Sequence, residues 1–183
     1  MFLSLRYALA ALLFGLIASP VMAQDDGAAA TRDVPAQIAP ASDETARYAS
    51  LAEAVAAQPL DDTLDDEMSC MAGAIYFESK GEPLAGQLAV ADVILNRTRS
   101  GRFPGTVCSV VTQRGQFSFV REGRVPDVPD CAAYRTAIAV ARVAMADAWE
   151  SPAGDALFFH ARRISPGWQR EQIVTIGNQV FYR

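Results

Sequence analysis

The stretch Tyr76-Phe77-Glu78-Ser79-Lys80-Gly81-Glu82-Pro83-Leu84-Ala85 constrains the fold more than any other part of this chain. Upstream of it Leu64, Met68, Met71 and Ile75 recur at helical spacing, and Gly81 with Pro83 ends that helix. A second helix is predicted from Leu84 to about Arg99, with Gly101 as its stop. Val90, Val93, Ile94 and Leu95 make that helix apolar, while Gln87, Asp92, Asn96 and Arg97 give it a polar side. Two carboxylates four positions apart, Glu78 and Glu82, flank the break. Glu78 falls in the last turn of the first helix, where unpaired carbonyls make the local field negative and Tyr76 and Phe77 supply aromatic surface. Both effects push its pKa upward, and Lys80 offsets part of the shift. A carboxyl kept protonated near neutral pH suits a general acid. The plainer reading is a surface glutamate beside a helix cap.

The first helix is expected to begin near Thr63, where Thr63 and Asp66 resemble a capping box, and to run to about Lys80. A short helix follows Thr106 over Val107 to Thr112. Gln113 to Val128, with its glycines, prolines and charges, reads as a long loop of the kind that carries function. Asp130 can cap a helix from Cys131 to Glu150, with Tyr134, Ile138, Met145 and Trp149 on one face and Ser151-Pro152 as its stop. The tail then changes period. Ala156 to His160 reads as a strand, and Ile173–Ile176 with Gln179–Tyr182 flank Gly177-Asn178 as a hairpin. Helices first and a small antiparallel sheet last make an α+β domain.

Residues 1–23 read as a secretory signal: Arg6, an apolar run from Tyr7 to Ala18, and Val21-Met22-Ala23 as a cleavage pattern. The apolar run is too short to span a bilayer, so no stable membrane span is expected after cleavage. Residues 24–62 are rich in Ala, Asp, Pro and Gln and are expected to be a disordered arm, leaving 63–183 as the folded domain. Residues 24–69 hold eleven acidic residues against Arg32 and Arg47, a balance of −9, whereas 70–183 hold ten against thirteen basic, a balance of +3. An exported, mildly basic, arginine-dominated domain suits an anionic wall polymer rather than nucleic acid, for which no motif is present.

Cys70, Cys108 and Cys131 match no metal knuckle, and His160 is the single histidine, so neither a metal nor another cofactor is expected. One disulfide with one thiol left over is the simplest arithmetic. A Ser-His or Cys-His nucleophile through Ser118 or Cys131 with His160 lacks any surrounding signature. No phosphate-binding loop is present.

From Ala74 to Arg97 the sequence AIYFESKGEPLAGQLAVADVILNR closely resembles the cell wall hydrolases of the SleB/CwlJ, spore-cortex-lytic type. The resemblance continues through FPGTVCSVV, through GQFSF at Gly115 to Phe119, and through the closing IGNQVFYR, and so spans roughly residues 68–183. It implies a lysozyme-like fold, a monomeric enzyme and peptidoglycan as the partner. The family's catalytic glutamate falls on Glu78, and Gln116, Phe117 and Ser118 resemble its substrate-side segment. Glu82, His160 and Trp168 are further candidates for contact with the glycan. The resemblance also places Cys70 and Cys108 together, leaving Cys131 free and buried against the apolar face of its helix. Lytic transglycosylases, which members of this family resemble, need only one carboxyl group, whereas ordinary glycosidases use two. Asp127 and Asp130 are the loop candidates for a second one. A wall-binding protein without turnover and an amidase remain the alternatives. Two departures stand out: Ser79-Lys80 where relatives often carry Ala-Arg, and Gly115 and Arg121 where they often carry cysteines around the QFS segment.

Overall fold

The computed structural model describes residues 47–60 and 63–183. The expected signal segment and the arm up to residue 46 lie outside the described residues, as do residues 61 and 62.

Five helices come first: α1 (Leu51–Ala56), α2 (Asp66–Ser79), α3 (Leu84–Arg99), α4 (Val107–Val111) and α5 (Ala132–Met145). Three short strands follow, β1 (Phe158–Ala161), β2 (Gln172–Ile176) and β3 (Gln179–Tyr182), as an antiparallel sheet in the order β1-β3-β2. The expected α+β order, helices and then sheet, is present.

Helix α3 is the centre of the molecule, and its composition follows from that position. One side packs through Leu88, Ala91, Ile94 and Leu95 into a core shared with the other helices. The opposite side packs through Ala89, Val90 and Val93 onto Phe181, with Phe159, Ile173, Val174 and Ile176 of the sheet around it. A helix covered on both sides has little use for a solvent-facing polar stripe. The polar side expected there is instead turned to structural work. Asn96 Nδ2 donates to the carbonyls of Gly154 (2.8 Å) and Ala156 (3.1 Å), and Arg97 Nε donates to that of Leu157 (2.8 Å). These bonds fix the segment that leads into β1.

The helix ends differ from the expected ones for identifiable reasons. Asp65, not Thr63, caps α2, its Oδ1 accepting the Met68 amide at 2.7 Å. Helix α5 starts behind Cys131, which makes no side-chain cap; Asp130 pairs with Arg135 instead. The helix stops at Met145, well short of Glu150. Asp147 adopts φ 51°, and the Asp147 and Ala148 amides bond back to Ala144 and Val143, the reversed turn that closes a helix C-terminus.

The amino-terminal boundary also needs correction. Helix α1 lies inside the segment expected to be disordered, yet Ala54 is fully buried and Val55 nearly so, with Tyr48 and Leu51 packed against the same core. An alanine-rich stripe buries little area per residue, but small side chains let a helix approach closely, which here brings α1 against α3 and α5. The packed domain therefore begins before residue 51.

Cys70 and Cys108 form a disulfide with Cα atoms 5.2 Å apart, joining α2 to α4. One turn away the Glu67 carboxylate accepts the Val107 amide at 2.6 Å, fastening the start of α4 to α2 a second time. Cys131 is free, but it is half-exposed at the head of α5 rather than buried against the helix's apolar face.

Candidate functional site

Glu78 sits in the last turn of α2, and its backbone is held from two directions. Gln179 Nε2 on β3 donates to the Glu78 carbonyl at 2.9 Å, and Ser79 Oγ donates to the Ile75 carbonyl at 2.7 Å. The Lys80 and Glu82 amides take the carbonyls of Tyr76 and Ser79. Most of the carbonyls that a helix end leaves open are thus occupied, which weakens the negative field expected from them. Burial of the carboxyl is the larger cause of its raised pKa, and Arg97 pulls it partly back.

The carboxyl opens into a cavity of about 410 Å³ between the end of α2, the 116–118 loop and the β1 segment. Gln116, Ser118, His160 and Gln179 share its lining with Arg97 and Arg163. The 116–119 segment alternates: Gln116 and Ser118 are exposed, while Phe117 and Phe119 turn into the core, and Phe119 stacks on Phe77 with centroids 4.8 Å apart. Phe117 therefore forms the floor of the cavity, not an open sugar-facing surface. The loop is held without the cysteines that relatives often carry: the Arg121 guanidinium donates to the Ser118 and Val120 carbonyls. Beyond it Arg121 and Arg124 pair across a tight turn whose centre, Glu122 and Gly123, has positive φ at both residues.

Three sequence-marked residues lie elsewhere or are already engaged. Glu82 does not line the cavity. Its carboxylate accepts from the Asn178 amide (2.9 Å) and Asn178 Nδ2 (3.2 Å), clamping the β2–β3 turn onto the α2–α3 break. That clamp explains Gly177: its φ is 54°, and a Cβ there would stand 2.1 Å from Glu82 Oε2. A substrate-binding role for Glu82 is replaced by this structural one. His160 lines the cavity, but its Nδ1 pairs with the Ala161 carbonyl and its Nε2 with the Tyr182 hydroxyl, both at 2.9 Å. Trp168 lies next door, 40% exposed, its ring edge-on to His160, Phe158 and Tyr182 in a shallow pocket that shares His160 and Ile164 with the Glu78 cavity.

The carboxylates expected as second partners do not line the Glu78 cavity. Asp127 lines a larger cavity of about 780 Å³ beside Gly73 and the disulfide, and Asp130 faces Arg135. That cavity is roomier, yet the reactive inventory does not converge there, so its size decides little. Among the described residues Glu78 is the one carboxylate lining its own cavity. Cys131 does not line it either, so the structure brings no Cys-His pair together. No group of described residues is arranged to hold a metal ion, and no described helix is long and apolar enough to cross a membrane.

Sequence reasoning missed Arg97 and Gln179. Both are buried, at 5% exposure each, and each keeps one polar atom without a hydrogen-bond partner, Arg97 Nη1 and Gln179 Oε1. The IGNQVFYR ending contained Gln179, but nothing local announced that its side chain reaches Glu78 across 101 positions.

The family profile described as Cell Wall Hydrolase matches residues 81–182. The spore cortex-lytic enzyme of Bacillus cereus strain ATCC 14579 is 38% identical over 122 residues, which is 63% of this chain and 44% of that protein. The spore cortex-lytic enzyme of Bacillus subtilis strain 168 is 35% identical over 135 residues, or 70% of this chain and 41% of that protein. This chain thus spans less than half the length of the curated relatives it matches. Among solved structures, the catalytic domain of the germination-specific lytic transglycosylase SleB from Bacillus anthracis superposes with a TM-score of 0.55 at 34% identity, covering 69% of this chain and all of that one. The catalytic domain of the Bacillus cereus SleB protein gives 0.53 at 33%, covering 67% and 94%. The architecture is the lysozyme-like α+β fold of those domains. A profile match over more than half the chain and full coverage of a solved catalytic domain lead to one conclusion: this chain belongs to the cell wall hydrolase family.

Proposed function

We propose that this protein cleaves peptidoglycan glycan strands between N-acetylmuramic acid and N-acetylglucosamine, acting as a lytic transglycosylase with Glu78 as its acid and base. The observation that carries this reading is the solitary, half-buried carboxyl of Glu78 in a cavity lined by neutral and cationic groups. Hydrolysis with either stereochemistry needs a second carboxyl across the cleft, roughly 5–9.5 Å away. Asp127 and Asp130 line other cavities, which favours a reaction that runs on one carboxyl.

One group suffices if the substrate provides the nucleophile. Glu78, protonated, gives its proton to the glycosidic oxygen as the bond from that oxygen to the muramic C1 breaks. The leaving sugar departs with a free hydroxyl. The Glu78 carboxylate then takes the proton of the muramic 6-hydroxyl while that oxygen bonds to C1, which closes a 1,6-anhydro ring and restores the acid. In this reading Gln116 and Ser118, exposed at the rim, hold the glycan, and Trp168 stacks on a sugar further along. The charge division fits the same work: residues 70–183 of this exported, monomeric protein, which supply every residue lining the Glu78 cavity, carry a balance of +3 toward an anionic wall polymer.

Digestion of peptidoglycan in ¹⁸O-water, read by mass spectrometry, tests the reaction. Unlabelled 1,6-anhydromuramic ends are the expected product. Label in most new muramic ends would mean hydrolysis, and release of free stem peptides would mean amidase chemistry.

A further inference from the structure

The mechanism above asks one half-buried carboxyl to be neutral, then charged, then neutral again. A buried carboxylate is costly unless something offsets its charge. We propose that Arg97 is the positioning residue of this site: its buried guanidinium is the fixed counter-charge against which Glu78 releases and recovers its proton. This inference rests on the reading of Glu78 as the acid.

The guanidinium is immobilised far more than a helix-end arginine requires. Nε is tied to the Leu157 carbonyl at 2.8 Å, and the planar group lies over the rings of Phe103, Phe117 and Phe158 at 4.9, 5.6 and 5.9 Å. Nη1 is left without a hydrogen-bond partner, an expensive omission for a buried donor unless it serves a further purpose. Arg97 lines the same cavity as Glu78, yet the two form no direct ion pair, so Glu78 stays free to turn toward a glycosidic oxygen. Their charges act across the cavity, each one moving the other's proton affinity.

The other charged or titratable groups around Glu78 are poorer candidates. Lys80 is exposed and turned onto the Tyr76 ring, 4.5 Å from its centroid. Arg163 lines the cavity but is solvent-exposed, where salt screens it. Both ring nitrogens of His160 are engaged, and Arg121 is held on the loop carbonyls. Arg97 is the buried cation facing the carboxyl.

The test is the pH–rate profile of glycan cleavage for the parent, R97Q and R97K, with carbon-13 titration of the Glu78 carboxyl as a readout that needs no turnover. In R97Q the loss of the cation is expected to lower the rate at least about tenfold and to move the alkaline limb, and the carboxyl titration, up by about half a pH unit or more. R97K, which keeps the charge, is expected to hold the limb near the parent position and to recover about a third or more of the rate. A folded R97Q whose limb and carboxyl titration stay at the parent pH would overturn the proposal, because a purely structural role lowers the rate without moving them. If R97Q does not fold, R97M decides by the same criterion: a limb and a carboxyl titration moved upward support the proposal, and both held at the parent position sink it. E78Q separates the two ideas. An active E78Q removes the reading of Glu78 itself, whereas an inactive E78Q with an unmoved R97Q profile removes only the role of Arg97.

Discussion

At the residue scale, the position of Glu78 was legible because it is set by local pattern: a helical period, then Gly81 and Pro83. Its environment was not. The helix-end field and the neighbouring rings are local, but the stronger cause of its raised pKa is burial, in a cavity whose lining comes from segments as far away as Gln179, while Arg97 acts in the opposite direction. Asn96-Arg97 at the end of an amphipathic pattern looks like a hydrogen-bonding set and nothing more, and Asn96 is indeed that. Glu82 shows the converse error, since a carboxylate near the break looked available and is occupied by Asn178. For Glu78 the expected outcome is direct. Glu78→Gln removes the transferable proton and should lower glycan cleavage by about 10²-fold or more. The same substitution replaces a carboxyl whose charged form burial disfavours with a neutral amide of similar shape, so the melting temperature at neutral pH should stay level or rise, as is common for groups kept for function. Retention of more than about a tenth of the parent rate would exclude Glu78 as the general acid.

At the element scale, periodicity located every large helix and the hairpin, and errors gathered at ends and at weak stripes. Helix α5 was expected to reach Glu150 because Trp149 continues its apolar face, but it ends at Met145, and Asp147 takes the left-handed conformation and reverses the chain. Helix α1 was expected to be transient because alanine makes a poor apolar stripe. Tertiary packing supplies what propensity does not, since Ala54 and Val55 are covered by the helical core. That difference has a measurable consequence. Deleting the chain up to residue 62 should lower the melting temperature by several degrees, because Tyr48, Leu51, Ala54 and Val55 leave apolar surface of the core exposed to water. A deletion ending at residue 46 should leave the melt unchanged. Equal melts for the parent and both deletions would show that α1 contributes nothing to stability.

At the scale of the whole molecule, α3 separates two apolar cores, and the site lies where the helical layer meets the sheet. The same arrangement half-buries a second carboxyl on α3 that the proposed chemistry does not use. Asp92 is desolvated, leaves Oδ2 without a partner and feels the charge of Asp147, and together these outweigh its hydrogen bond to Ser151 and the pull of Arg99 and raise its pKa from 3.8 to about 6. The sign of the resulting pH dependence follows. Below the unfolded value of 3.8 the group is neutral in both states and costs nothing. As pH rises toward 6 the unfolded chain ionises first, so stability falls, and above about 6 the loss levels off at no more than about 3 kcal/mol. Asp92→Asn removes that penalty while keeping a side chain of similar shape for Ser151. Its melting temperature should therefore match the parent near pH 3.5 and exceed it by several degrees at pH 7.5. A difference of the same size at both pH values would mean that packing or hydrogen bonding, not the charge of Asp92, separates the two proteins.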